Sequence, residues 1–189
     1  MQSRFSRLAV AMAVTSAAIL FPISSPAQSI WLDRSSNKML ALEILKPNFK
    51  GEDKSSFTTS ALFLSYRTPL SQNVRFVGEL PFAHGDFGTA NFFFLRIEPG
   101  STVGNPYLGV EMQSAGSPLF VEIGVRVPVA SENEIQAVTT GLTADFDRLE
   151  AFLTNTVPIT AMLNYRPKAA SGFTMRLRGG PSLLVNKEG

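Results

Sequence analysis

The stretch "PLFVEIGVRVPVA" at residues 118–130 constrains the fold more than any other. From Leu119 to Val129 every second residue is apolar: Leu119, Val121, Ile123, Val125, Val127 and Val129. Between them stand Phe120, Glu122, Gly124, Arg126 and Pro128. Successive side chains of a strand point to opposite faces, so this period of two predicts a β-strand. One face is apolar from end to end; the other carries an acid, a base and a glycine.

The alternation recurs along the chain. Phe173–Val185 sets Phe173, Met175, Leu177, Leu183 and Val185 against Thr174, Arg176, Arg178 and Ser182. Thr156–Arg166 sets Val157, Ile159, Ala161, Leu163 and Tyr165 against Thr160, Asn164 and Arg166. Tyr107–Gln113 puts Leu108, Val110 and Met112 opposite Gly109, Glu111 and Gln113; Val74–Ala83 puts Val74, Phe76, Leu80 and Phe82 opposite Arg75 and Glu79. Phe57–Arg67 and Met39–Lys46 repeat the pattern more weakly, with Glu43 on the polar side of the latter. Several segments reach about 10 to 13 residues, whereas strands of soluble domains average about 5–6 and membrane-spanning strands need about 9–11. The expected fold is all-β: an antiparallel up-and-down transmembrane β-barrel of about seven strands with one loop helix. A soluble β-sandwich shows the same alternation with the faces reversed in meaning, and stays open as an alternative.

The connections agree with a barrel. Thr68–Asn73, Ser114–Pro118 and Pro167–Gly172 are short and turn-like, whereas Pro47–Ser56, His84–Gly104 and Ser131–Asn155 are long. Long and short alternate, as external loops and periplasmic turns do in outer-membrane barrels. Pro81, Pro106, Pro128 and Pro158 then fall near external strand ends, where a missing ladder donor costs little. Pro181, beside Gly179 and Gly180, falls mid-strand and suggests a bulge. Tyr66, Phe76, Tyr165 and Phe173 gather toward one end of the apolar face and Phe82 toward the other, the girdle arrangement of such barrels.

Export is read from the N-terminus. Met1–Ala27 opens with Arg4 and Arg7, continues in an apolar run from Leu8 to Phe21, and closes on small residues at Ser25 and Ala27. These are the parts of a secretory signal peptide, cleaved after Ala27, and the run is short for a spanning helix of about 20 residues. Residues 28–189 form one domain, placed in the cell outer membrane. Removing Arg4 and Arg7 leaves 17 − 2 = 15 basic residues against 15 acidic ones, a net charge of zero. No basic excess points to nucleic acid. Without cysteine the chain has neither disulfides nor thiolate metal sites.

"TVGNPYLGVEMQS" (Thr102–Ser114) and "MRLRGGPSLLV" (Met175–Val185) resemble strands of Gram-negative outer-membrane β-barrel proteins, in particular the porin-like transporters of the meta-pathway phenol-degradation type. The matched residues are Gly104, Asn105, Leu108 and Gly109, a glycine-polar turn leading into a Leu-Gly strand. The resemblance implies fold and location, and brings no functional residues with it. Bacterial single-chain barrels have an even strand number and end on an aromatic strand; here seven strands are counted and the sequence closes on "VNKEG". An eighth strand from Asn91–Glu98 would invert the parity of everything after it, so a fragment is the preferred expectation.

Three features are candidates for chemistry. His84, the only histidine, has Asp86 two residues on; a hydrolase would also need a nucleophile held beside it, and a loop position at the membrane rim is the simpler expectation. Glu132–Leu153 is a helical stretch whose stripe of Ile135, Val138, Leu142, Phe146 and Leu149 is expected to pack on the barrel mouth; a plug or gate is the alternative. Its acids Asp145, Asp147 and Glu150 lack calcium-loop spacing. The third is a lumen-facing charged row of Glu43, Arg75, Glu79, Glu111, Glu122, Arg126, Arg176 and Arg178, with Arg67 and Arg166 near the lower rim. It either staples a narrow interior, with Arg126 or a cross-strand arginine answering Glu122, or lines a pore. The lipid-facing set is Leu108, Val110, Val121, Ile123, Val125, Ile159, Leu163 and Leu177. The expected function is a passive pore or small-solute transporter, with outer-membrane lipid and small solutes as partners. A structural or adhesive barrel and a secreted sandwich are the other readings. No nucleotide-binding glycine motif, nucleophile elbow or metal cluster is visible, so neither enzyme activity nor a cofactor is expected.

Overall fold

The computed structural model describes residues 38–47, 58–87, 90–92, 95–167 and 177–187. Met1–Ala27, Phe173, Arg176 and most of the connections Pro47–Ser56 and Pro167–Gly172 lie outside them. The strands are β1 (Met39–Leu45), β2 (Ser60–Pro69), β3 (Val74–Gly85), β4 (Ala90–Phe92), β5 (Leu95–Ile97), β6 (Gly100–Val103), β7 (Tyr107–Gln113), β8 (Leu119–Arg126), β9 (Thr156–Tyr165), β10 (Leu177–Gly179) and β11 (Ser182–Asn186). A helix, α1 (Ile135–Ala144), and a 3-10 segment (Phe146–Phe152) separate β8 from β9. The main sheet runs in the order β1-β2-β3-β7-β8-β9-β10, every pairing antiparallel, and curls into a half-barrel. β6 joins β3 beyond β7, and β11 joins β9 beyond β10, so nine segments make seven ranks. These are the seven segments of alternating sequence. β4 and β5 form a separate two-stranded hairpin, so "NFFFLRIE" supplies no eighth rank to the sheet.

Registers explain where the strands break. Glu79 pairs with Tyr107 and Phe82 with Val103, so two residues of β3 (Leu80, Pro81) face three (Gly104, Asn105, Pro106). One residue is extra, which is a β-bulge. It reverses the parity of the strand, so Thr102 and Tyr107 are both buried although strict alternation would put them on opposite faces. The Pro81 carbonyl accepts from Gly104 N at 2.9 Å, so the donor that proline lacks falls at the bulge. The bulge expected at Pro181 is absent: Leu163 pairs with Gly179 and Thr160 with Ser182, two residues against two. There Ala161 N donates to Pro181 O at 3.1 Å, and the chain passes so close that a Cβ on Gly180 would strike the Ala161 carbonyl. The short turn Ser114–Ser117 closes by Ser117 N donating to Ser114 O at 3.1 Å, with Gly116 at φ +74°, where a type II turn requires glycine.

The two faces of the sheet differ sharply. Side chains exposed on the convex face include Leu40, Leu42, Leu64, Leu80, Leu108, Val121, Ile123, Ile159 and Leu163. Buried on the concave face are Glu43, Arg67, Glu79, Glu111, Glu122, Arg126 and Asn164. Apolar burial is slight and much of it is alanine: Ala61, Phe63 and Ala83 of the sheet pack with Ala137, Ala144, Ala151 and Phe152 of the connecting segment.

That segment corrects the expected helix face. α1 buries Gln136, Ala137, Thr140, Gly141 and Ala144, and not the stripe of large residues. Ile135 and Phe146 stay exposed, while Val138, Leu142 and Leu149 are half-buried. Close approach is the reason. The backbone of Gln136 runs against Gly85, and the Ala151 carbonyl lies 2.5 Å from where a Cβ on Gly104 would stand, so only small side chains fit the contact.

Candidate functional site

Among the described residues the concave face holds three groups of paired charges. The largest centres on Arg148, which no strand pattern marked. Its Nε lies 2.6 Å from Asp145 Oδ2, its Nη1 3.2 Å from Glu79 Oε2 and its Nη2 2.6 Å from Glu43 Oε2, with the guanidinium 3.8 Å above the Phe63 ring. Burial pulls the Arg148 pKa down, but the carboxylates of Glu79, Asp145 and Glu43 outweigh it and hold the group above its ordinary value. Arg126 takes the other oxygen of Glu79 (2.9 Å) and donates to the Asn105 carbonyl at 3.0 Å, while stacking 5.2 Å from the Tyr107 ring.

The second group is Glu111, facing Arg75 Nη1 at 3.1 Å and Arg67 Nε at 3.7 Å; Arg75 also donates to Gln113. The third is Glu122, 0 % exposed, which accepts from Tyr107 OH at 3.0 Å and faces Arg178 Nη2 at 3.5 Å. Glu122 therefore answers to Tyr107 and Arg178 and not to Arg126, which belongs to Glu79. The described members of the expected row (Glu43, Arg75, Glu79, Glu111, Glu122, Arg126 and Arg178) share this one face; Arg176 lies outside the described residues. The expected apolar set lies on the other: Leu108, Val121, Ile123, Ile159, Leu163 and Leu177 are exposed, and Val110 and Val125 half-buried.

Tyr107 is held by an absence of side chains. Its ring lies over the cross-strand pair Gly109 and Gly124; a Cβ on Gly109 would stand 2.7 Å from it, and one on Gly124 would be closer still. Asn105, in the bulge, uses its side chain fully. Its Oδ1 accepts from Val129 N and Ala130 N, both at 2.9 Å, and its Nδ2 donates to Glu150 O at 3.1 Å and Leu153 O at 2.6 Å. The sequence signalled Asn105 only as part of a turn motif. Arg148 had one signal, its place inside the acid run "DFDRLE".

A cavity of about 50 Å³ lies between the 3-10 segment and the sheet, lined by Arg148, Asp147 and Glu150 on one side and Tyr107, Arg126 and Arg178 on the other. His84 Nδ1 is 2.8 Å from Ser101 Oγ on the neighbouring strand, while the backbone of Asp86 hydrogen-bonds the Thr59 hydroxyl in both directions. Among the described residues no group of three or more His, Asp and Glu is placed to hold a metal ion. No described helix is long and apolar enough to cross a membrane, which says nothing of strands.

No protein-family model, no curated protein and no solved structure matches this chain. The resemblance to porin-like transporters thus rests on the quoted residues alone.

Proposed function

We propose that this chain forms the wall of an outer-membrane β-barrel that acts as a passive pore for small polar solutes. The observation that carries the reading is the inversion of the faces. Leucine, isoleucine and valine stand on the exposed convex side, and paired arginines and glutamates are buried on the concave side. A soluble monomer rarely exposes a contiguous apolar patch larger than a few hundred Å². Lipid turns that face from a liability into a requirement, and an interior that is polar is what such barrels have. The alternation of short and long connections supports the same reading, since the Ser114–Ser117 turn and the α1 segment leave opposite ends of the sheet.

The test begins with export. The mature chain should start at Gln28 and fractionate with the outer membrane, and reconstituted protein should make liposomes swell in small sugars or amino acids. A mature product wholly soluble in the periplasm without detergent refutes the membrane reading. Insertion without swelling favours the second reading, a structural barrel, to which the ion-paired interior gives its support.

A further inference from the structure

The segment between β8 and β9 lies on the concave face, and two different kinds of contact hold it. Helix α1 has no charged residue and docks through small side chains, Ala137, Gly141 and Ala144, with Gln136 Oε1 accepting from Phe87 N at 2.8 Å. Such side chains remove little apolar area from water. Arg148 does the opposite: from a kink in the 3-10 segment (φ −122°, ψ 24°) it reaches into Glu43 of β1 and Glu79 of β3. The roots of the segment are tied separately, because Asn105 binds Val129 and Ala130 before it and Glu150 and Leu153 after it.

We infer that residues 131–149 form a displaceable plug, with Arg148 as its latch and Asn105 as the fixed pivot, so that breaking the Arg148 pairs to Glu43 and Glu79 lifts the plug and opens the concave face. The charges are arranged so that neither side of the latch is stranded on release. Arg148 keeps Asp145, three residues away on the plug itself, and Glu79 keeps Arg126 on the sheet. Only Glu43 loses its ion pair, and it stands on β1 at the edge of the sheet, where release exposes it to water. The cavity of about 50 Å³ along the seam has room and polar lining for water beside Arg148. Of the large residues of the segment, Leu142 packs part-buried on the alanine-rich cluster, while Ile135 and Phe146 face away from the contact.

The absence of cysteine gives a clean test. Ala137→Cys places a single thiol beneath α1, and Leu108→Cys places a control on the exposed face. In detergent-folded protein, maleimide labelling at position 137 should be slow at low salt. It should accelerate about tenfold at about 1 M salt, because opening puts Arg148 and Glu43 into water, where mobile ions stabilise the separated charges far more than they screen the buried, closed pair. Glu43→Gln should produce the same acceleration at low salt, and position 108 should respond to neither change. Labelling at 137 that ignores salt overturns the inference, even if Glu43→Gln fails to fold. The inference rests on the pore reading only for its conductance consequence: a disulfide between Ala83→Cys and Ala137→Cys should lower conductance until reduced. Salt-dependent labelling without any conductance keeps the plug and removes the pore. Conductance with salt-insensitive labelling keeps the pore and removes the plug.

Discussion

Replacing Gly124 by alanine tests the packing of the concave face with one methyl group. Tyr107 is 3 % exposed and its ring covers the Gly109–Gly124 pair, so the new Cβ falls within the ring's van der Waals envelope. Gly124 sits in an extended strand, and the three atoms nearest to where its Cβ would stand all belong to the Tyr107 side chain, the hydroxyl among them. The ring must move. Overpacking of this kind costs about 1–3 kcal/mol. If the ring moves far enough to break the 3.0 Å bond from Tyr107 OH to the buried Glu122, a hydrogen bond to a charged group worth about 1.5–3 kcal/mol goes with it. We expect Gly124→Ala to destabilise by about 2.5–6 kcal/mol if that bond breaks and by about 1–3 kcal/mol if it survives, and Tyr107→Phe, which removes only the hydroxyl, by about 1.5–3 kcal/mol. The double mutant Gly124→Ala/Tyr107→Ala decides the cause, because without the ring the added methyl group has nothing to strike. In that background Gly124→Ala should cost about nothing, a coupling of about 1 kcal/mol or more. Urea titrations in detergent, followed by circular dichroism and heat-modifiable gel mobility, measure all four corners. Additivity within about 0.5 kcal/mol would refute the stacking of Tyr107 on Gly124. Gly124→Arg, which escapes any lipid penalty by facing inward, meets the same ring and should fold worse than Gly124→Ala.

Ile123→Arg, on a residue 42 % exposed on the convex face, should cost about 2–4 kcal/mol in a bilayer, and a variant as stable as the parent there would mean that the valine face does not meet lipid. Asn105→Ala strands two backbone N–H and two carbonyl groups and should cost on the order of 3–5 kcal/mol in urea titrations. Wild-type stability would show that water replaces the amide. Glu122→Gln keeps size and the Tyr107 contact while leaving Arg178 without that carboxylate. In a hydrated pore it should move bilayer reversal potentials toward anions with folding intact, whereas in a dry, stapled interior it should weaken folding with no change in selectivity.

The period of two carried most of the architecture because it depends only on strand geometry: once Val121, Ile123 and Val125 share a face, Glu122 and Arg126 must share the other. What each charge pairs with is another matter. Arg148 meets Glu43 across 105 residues of chain and Glu79 across 69, and no local rule spans such distances. The helix was legible and its buried face was not. The stripe rule assumes that large apolar residues seek the contact, whereas the passage against Gly85 and Gly104 is lined by alanine, glycine, threonine and one glutamine. A hydrolase reading of His84 pairs it with Asp86, its near neighbour in sequence. Its partner is Ser101, directly across the β3–β6 ladder, which only the register reveals.

The bulges tie this contrast to function. In the sequence Pro181 is the obvious irregularity, with two glycines beside it, yet the β9 ladder passes it in register. The real irregularity is Gly104-Asn105-Pro106, where glycines are fewer but the neighbouring strand supplies Pro81. A missing donor on β3 and an extra residue opposite it are one feature, since each makes the other cheap. That single bulge does three things at once. It turns Tyr107 inward over its glycines, brings Gly104 against the Ala151 carbonyl, and lets the Asn105 side chain leave the sheet to bind both roots of the 131–149 segment. The regular alternation builds the curled sheet with its apolar and charged faces. The place where the alternation fails anchors the segment that lies across the concave face.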